Sequence, residues 1–443
     1  MKIQLSDHFT YSRLIRFTIP SIIMMIFTSI YGVVDGIFVS NFAGKTAFAA
    51  INLIYPPMMV MGAFGFMLGT GGSALVAKTM GEGDRERANK IFSMLVYVAI
   101  ALGLILTALG VVFIKPISVF LGAEGQMIDD CVTYGNILLP AITFFLLQSL
   151  FQSFFITAER PQLGLAVTVA AGVTNMVLDA LFIAGFGWGL RGAALATGLG
   201  IAVGAVIPLL YFSLSKESIL KLGRPYFEGK ALLKSCTNGI SEMMSEISMS
   251  VVTMLYNFQL MRIAGENGVA AYGSIMYINF IFISIFFGFS MGVEPVVSFH
   301  YGAENHDELK NLFRKCIRLM LVSGLAMTVL AELLAHTLAG IFVGYDVELM
   351  DMTEKGLRIY ALAFVLSGIN IYGSGFFTAL NNGLISAVIS FLRTLVFETL
   401  AVMLLPVIWG LDGVWLAIIV AEIAAVIITS VFFVKMRHRY HYF

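Results

Sequence analysis

The chain has 443 residues, 59% of them hydrophobic and 12% charged, with a formal net charge of +0. Soluble proteins carry about 25% charged residues, so this charge content and a mean hydropathy of +0.90 exclude an ordinary water-soluble domain. The balanced charge leaves no basic domain for a nucleic acid, and three scattered cysteines (Cys131, Cys236, Cys316) without a CxxC pair exclude a disulfide framework and a metal-thiolate site.

Twelve apolar segments follow in order: 14–40, 48–77, 91–114, 130–157, 162–186, 191–213, 233–261, 268–298, 313–336, 356–380, 384–409 and 413–435. Each reaches the roughly 20 residues that a helix needs to cross the hydrocarbon core. The first is too long for the core of a cleavable leader, and no small-residue cleavage pattern follows it, so it reads as a retained span. The expectation is an all-α membrane protein of 12 transmembrane helices. Residues 1–213 form an N-terminal lobe (helices 1–6), 214–232 a cytoplasmic basic linker and 233–443 a C-terminal lobe (helices 7–12). Twenty of the 27 basic residues fall on the side that carries both termini, which the positive-inside rule places in the cytoplasm.

The chain repeats itself at an offset of 221. Ala43-Gly44 falls on Ala264-Gly265, Gly81 on Gly302, Thr157-Ala158 on Thr378-Ala379 and Gly192 on Gly413. Six helices is an even number, so both bundles share one orientation and are related by a pseudo-two-fold axis along the membrane normal. Two parallel bundles around a midplane cavity form a transporter architecture.

Taken in chain order, the charged residues inside these spans are few. Helix 1 carries Asp35 between Gly32 and Gly36, and helix 5 carries Asn175 and Asp179 at i and i+4, on one face. Helix 6 adds Thr197 in GLRGAALATGLG, where small residues let helices approach closely. Carboxylates inside a membrane are costly and mark ion or proton pathways by default. Two carboxylates, an amide oxygen and a hydroxyl suit Na⁺, and two crowded carboxylates equally suit a shared proton. At the 221 offset, Asp35 and Asp179 fall on Tyr256 and Leu400, so the second lobe lacks this set. Helix 7 instead carries Glu242 and Glu246 in GISEMMSEISMS. Glu294-Pro295 is expected to end helix 8, Arg393 and Glu398 to pair within helix 11, and Glu422 to face the cavity or a neighbour. Met25, Tyr31, Tyr134, Met249 and Tyr256 are candidate cavity-lining residues, since Met adapts to many shapes and aromatic faces attract organic cations.

At this point the chain resembles the multidrug and toxic compound extrusion (MATE) transporters over nearly its full length. The similar stretches are IPSI with the following Asp35, FVSNFAGKTAFAAINLIYP, GTGGSALVAKTMGEGDRERA and TNMVLDALFIAGFGWGLRGAALAT. The resemblance implies a first-lobe cation or proton site at Asp35, Asn175, Asp179 and Thr197. Some branches of that family use a helix 7 Glu, for which Glu246 is the better match, with Glu242 nearer the cytoplasmic end. Those branches also use an acidic residue at the helix 10–11 junction, where this chain reads TALNNGLI.

The expected function is secondary active export of amphipathic, often cationic, organic compounds by rocking of the two lobes, coupled to H⁺ or Na⁺ and without any other cofactor. The protein is expected to be a monomer in the plasma (inner) membrane, with membrane lipids as neighbours and neither nucleic acid nor an ATPase subunit as partner. Two rival readings are a lipid-linked oligosaccharide flippase and a passive facilitator. Enzymatic readings are disfavoured: GxGxxG at Gly187, Gly189 and Gly192 joins two membrane helices with no strand before it, and no Walker, HExxH or GxSxG motif occurs.

Overall fold

The computed structural model describes residues 3–42 and 45–443, with the side chains of residues 33, 35–49 and 52 outside the description. Among the described residues all regular secondary structure is helical. The first half contributes α1 (Tyr11–Phe42), α2 (Lys45–Gly81), α3 (Arg85–Phe120), α4 (Gln126–Thr157), α5 (Pro161–Gly185) and α6 (Gly189–Leu214). Continuous helix then runs from Gly229 to Gly302, 74 residues. At 1.5 Å per residue this is about 110 Å, far more than the ~30 Å hydrocarbon core. It breaks at Gly265 (φ 63°, ψ −150°), which separates α7 (229–264) from α8 (266–302). The second half continues with α9 (His306–Val343) and with α10, made of Val347–Ala361 and Phe364–Ala379 bent by 51°. Gly383–Tyr440 breaks at Gly410 (φ 55°) into α11 (383–409) and α12 (411–440). Twelve spans result, in two six-helix bundles.

The internal repeat extends to backbone conformation. Gly83 and Glu304, which are 221 residues apart, both have positive φ (88° and 53°), and the same holds for Gly189 and Gly410 (51° and 55°). The residues after the first pair, Asp84 and Asn305, cap α3 and α9 with bonds of 3.0 and 3.1 Å to the amides of Arg87 and Glu308. Each cap satisfies one of the amides that a helix start leaves unpaired. Glu294-Pro295 does not end α8 as expected: the helix continues through Pro295 to Gly302.

The two halves meet through glycines, and the contacts obey the pseudo-two-fold. A Cβ on Gly81 (α2) would strike the carbonyl oxygen of Phe299 (α8), and one on Gly302 would strike that of Lys78, the residue equivalent to Phe299. Gly71 and Gly239 bring α2 against α7 backbone to backbone, and Gly288 and Gly292 seat α8 on Ser21-Ile22 and Thr18 of α1. Such approaches depend on the missing side chain. All of them lie toward the end of the bundle that carries the chain termini. Toward the other end, no described residue of another helix lies within 4 Å of a Cβ placed on Gly32 (α1) or Gly273 (α8), and Met254 and Phe258 of α7 are each 59% exposed. The glycine contacts between the halves therefore gather at one end.

The segment between the halves is not free. Lys221 N donates to Asn89 Oδ1 (2.8 Å), Gly223 N to Ser93 Oγ (2.8 Å), and Arg87 grips Glu228 (2.8 Å). The linker thus lies along α3 as far as Glu228.

Candidate functional site

Helix α5 starts with Pro161, whose fixed φ suits a first helical turn. Its buried residues include Gly164, Thr168, Ala171, Gly172, Asn175 and Asp179, one stripe along the helix. Small residues on that stripe set the neighbours. At Gly172 a Cβ would meet the rings of Phe27 and Tyr31 of α1. On α6, a Cβ at Gly200 would lie 2.8 Å from Asn175 Cβ and 3.0 Å from the Ala171 carbonyl. Asn175 is thereby fitted between α1 and α6, at 4% exposure, and Asp179 one turn on is fully buried at 0%.

The antiparallel register of α5 and α6 can be read from two contacts. Gly200 sits level with Asn175, and Gly192 lies against Phe182. Between these points, Asp179 lies along the 192–200 stretch of α6 that also carries Thr197. The structure thus sets the face of α5 that carries Asn175 and Asp179 against the stretch of α6 that carries Thr197, with α1 beside them. The Asp35 side chain itself lies outside the description.

Two further features mark this place. Among the described residues, neither the Asn175 amide nor the Thr197 hydroxyl has a hydrogen-bond partner. Leaving a buried polar group unmet costs about 1–3 kcal/mol, a cost that a bound ion or water would remove. Directly after Asp179, α5 changes to a π-helical turn, Ala180–Gly185. Single π turns cluster at functional sites because the wide turn frees local carbonyls. No spacing in the sequence signals this one.

In the second half, Glu242 and Glu246 are half-buried on α7, and Glu294 on α8 is 5% exposed. The Glu294 carboxylate packs on bare backbone, since a Cβ at Gly375 of α10 would be 2.7 Å from it. Glu242 lies within electrostatic reach of both Glu246 and Glu294. The second half therefore holds an acidic group of its own, and Glu294, read above only as a helix-ending residue, belongs to it.

A family model described as MatE matches the chain twice, over residues 20–181 and again over 243–403. The chain belongs to the MatE family. That one model fits both halves also accounts for the repeat. Curated relatives include the multidrug export protein MepA of Staphylococcus saprophyticus, 24% identical over 93% of this chain and 91% of the relative. MepA of Staphylococcus aureus is 23% identical with the same coverage. Solved structures agree in fold. A MATE in complex with MaL6 superimposes with a TM-score of 0.91 at 24% identity, covering 98% of this chain and 97% of the other. An outward-facing multidrug resistance MATE family transporter of the MOP superfamily gives 0.91 at 24% identity, covering 98% and 96%.

In this MatE chain, Arg393 does not pair with Glu398 along α11 as expected. It reaches Glu422 of α12 through Nε (2.9 Å) and Nη2 (2.7 Å). Asn370 of α10 holds the second Glu422 oxygen at 2.6 Å, and Thr429 donates to Asn370 at 3.1 Å. The Arg393 and Glu422 side chains are 13% and 1% exposed, so the pair is buried within the lobe, and of the two places expected for Glu422 it takes the one facing a neighbouring helix. Helix periodicity could not have named the partner, because α11 and α12 meet only through tertiary packing. Breaking a buried pair costs about 3–5 kcal/mol, whereas replacing both partners by apolar residues is often neutral. Glu422→Ala is thus expected to lower the Tm in detergent sharply, and Arg393→Met with Glu422→Leu to restore most of it; thermal unfolding of both variants checks this.

The candidate lining residues divide into two groups. Met25, Tyr31 and Met249 keep partial exposure. Tyr134 (2% exposed) is packed into the core of the first half, and Tyr256 (0%) stacks on Tyr272 at 4.7 Å in the core of the second.

Proposed function

We propose that this MatE protein is a secondary active exporter of amphipathic, often cationic, organic compounds, coupled to the inward flow of H⁺ or Na⁺. The observation that supports the reading is the buried pair Asn175 and Asp179 on α5, packed against the Thr197-bearing stretch of α6 and beside α1 at a π turn. Asp35 of α1 is assigned to the same site. A coupling ion shifts a two-state equilibrium only by binding the states unequally. A carboxylate that is dry in one state and wetted in the other meets that condition. The relatives named as multidrug export proteins support the substrate class. The protein works as a transporter and not as an enzyme, as a monomer in the plasma membrane with both termini in the cytoplasm. On that orientation, the glycine contacts close the cytoplasmic side and leave the cavity open outward. Glu242 and Glu246 are assigned a second coupling or substrate contact, and Met25, Tyr31 and Met249 a place on the substrate path.

The test is uphill transport in proteoliposomes, with a pH gradient and a Na⁺ gradient imposed separately. One gradient, and not the other, is expected to accumulate an organic cation against its own gradient. Equal downhill equilibration under both would mean a facilitator, and failure to move any organic cation would favour a lipid-linked substrate.

A further inference from the structure

We propose that residues 3–10, ahead of α1, form a latch that joins the two halves at the terminus-bearing end and must release before that end can open. The proposal builds on the rocking of two halves put forward above. It concerns a segment to which the coupling site assigns no role.

The segment is anchored on both halves. Leu5 N donates to Glu159 Oε1 at 2.8 Å, and Glu159 stands on the turn between α4 and α5, in the first half. A few residues on, Phe9 N donates to Glu308 Oε1 at 2.9 Å, and His8 Nδ1 meets the other Glu308 oxygen at 2.5 Å. The Phe9 carbonyl accepts from Asn311 Nδ2 (3.0 Å) and Lys315 Nζ (2.7 Å). Glu308, Asn311 and Lys315 all belong to α9, in the second half. A turn between the anchors, with Gln4 N donating to Asp7 Oδ2 at 3.1 Å, fixes the path of the chain.

The apolar side chains follow the same crossing. Leu5 and Phe9 are both 0% exposed, in one cluster with Ile156 of α4 and with Val296 and Val297 of α8. The Phe9 ring also stands edge-on to His300 of α8 at 6.5 Å. Bonds from N–H donors to carboxylates are about twice as strong as neutral ones, and here the two acceptor carboxylates sit on different halves. If the halves part at this end, the segment keeps one anchor at most, and Leu5 or Phe9 loses its cover. The segment is thus a contact in series across the interface.

The chain carries its own reporter. Cys236 on α7 is half-buried against the core of the first half, whereas Cys131 and Cys316 are fully buried. The experiment is the rate of Cys236 alkylation by N-ethylmaleimide in the purified full chain, with Cys236→Ser as the site control. Glu159→Ala and Glu308→Ala are each expected to raise the rate at least about fivefold. The double variant is expected to react no faster than the faster single variant, because a latch held at two ends is released by losing either. Unchanged rates, or a double variant equal to the product of the singles, would overturn the proposal, since two independent packing contacts behave that way. Where an alanine variant fails to fold, deletion of residues 3–9 provides the same readout. The Glu308→Ala effect should persist in an Asp179→Asn background. If it does while transport follows no ion gradient, the latch stands and the coupling reading falls.

Discussion

Asp179→Asn is expected to leave a folded protein that still binds its organic cation but no longer exports it against a gradient. The substitution keeps the shape of the side chain and removes its ability to change charge. Asp179 is 0% exposed, on the face of α5 that meets α1 and α6. Thermal unfolding of both proteins separates a loss of export from a loss of folding. Typical coupling free energies of about 1–3 kcal/mol correspond to roughly 5- to 150-fold, and gradient-driven export should fall by that much, with the affinity for the organic cation nearly unchanged. Asn175→Ala should act in the same direction and more weakly, since it removes an oxygen ligand but no charge. Dye efflux from liposomes at matched protein density measures both. If Asp179→Asn exports like the wild type, α5 is not the coupling helix.

Gly71→Leu and Gly239→Leu are expected to trap the protein with its terminus-bearing end parted. These glycines let α2 and α7 meet backbone to backbone, and any Cβ would collide with main-chain atoms that cannot rotate away. Overpacking costs about 1–3 kcal/mol. The collision exists only while the halves are in contact, so the cost falls on one state and shifts the balance by roughly 5- to 150-fold toward the other. Cys236 alkylation should rise accordingly, export should fall, and binding of the organic cation should persist. Gly302→Leu, which strikes the Lys78 carbonyl, should behave the same way because it belongs to the same symmetric set. An equal loss of Tm in all three variants, without faster alkylation, would mean that these glycines serve folding and not the clamp.

Much of this architecture could be read before any fold was seen. The twelve spans follow from apolar runs of sufficient length, and the two-bundle plan from the 221-residue offset. That offset reappears at atomic detail in the paired caps Asp84 and Asn305 and in the paired glycines Gly189 and Gly410. Asn175 and Asp179 were legible as a candidate pair because a helix places i and i+4 on one face, so the local sequence alone makes them neighbours. Thr197 was legible as a candidate, but its level relative to Asp179 depends on the register of α5 and α6, which glycine contacts decide.

Other features could not be read in advance, for one shared reason. The partner of Arg393 is a residue of another helix; Glu398, close along α11, is the guess that local spacing favours, and packing selects Glu422. Glu294 next to Pro295 looks like a helix end, yet a continuing helix and the bare backbone at Gly375 turn it into a buried acid. Tyr134 and Tyr256 carry the right chemistry for a cavity wall, but which face of a helix looks inward to the lobe core is decided by its neighbours.

What the sequence by itself determined is therefore what depends on short range: hydrophobic length, helical phase, turn chemistry and the duplicated order of spans. The tertiary structure alone decided which faces meet, which charges find one another, where α5 widens into a π turn, and that residues 3–10 cross from one half to the other. The physical reason is that a membrane helix satisfies its own backbone, so the local chain specifies the helix but leaves its rotation and register to the side chains of other helices.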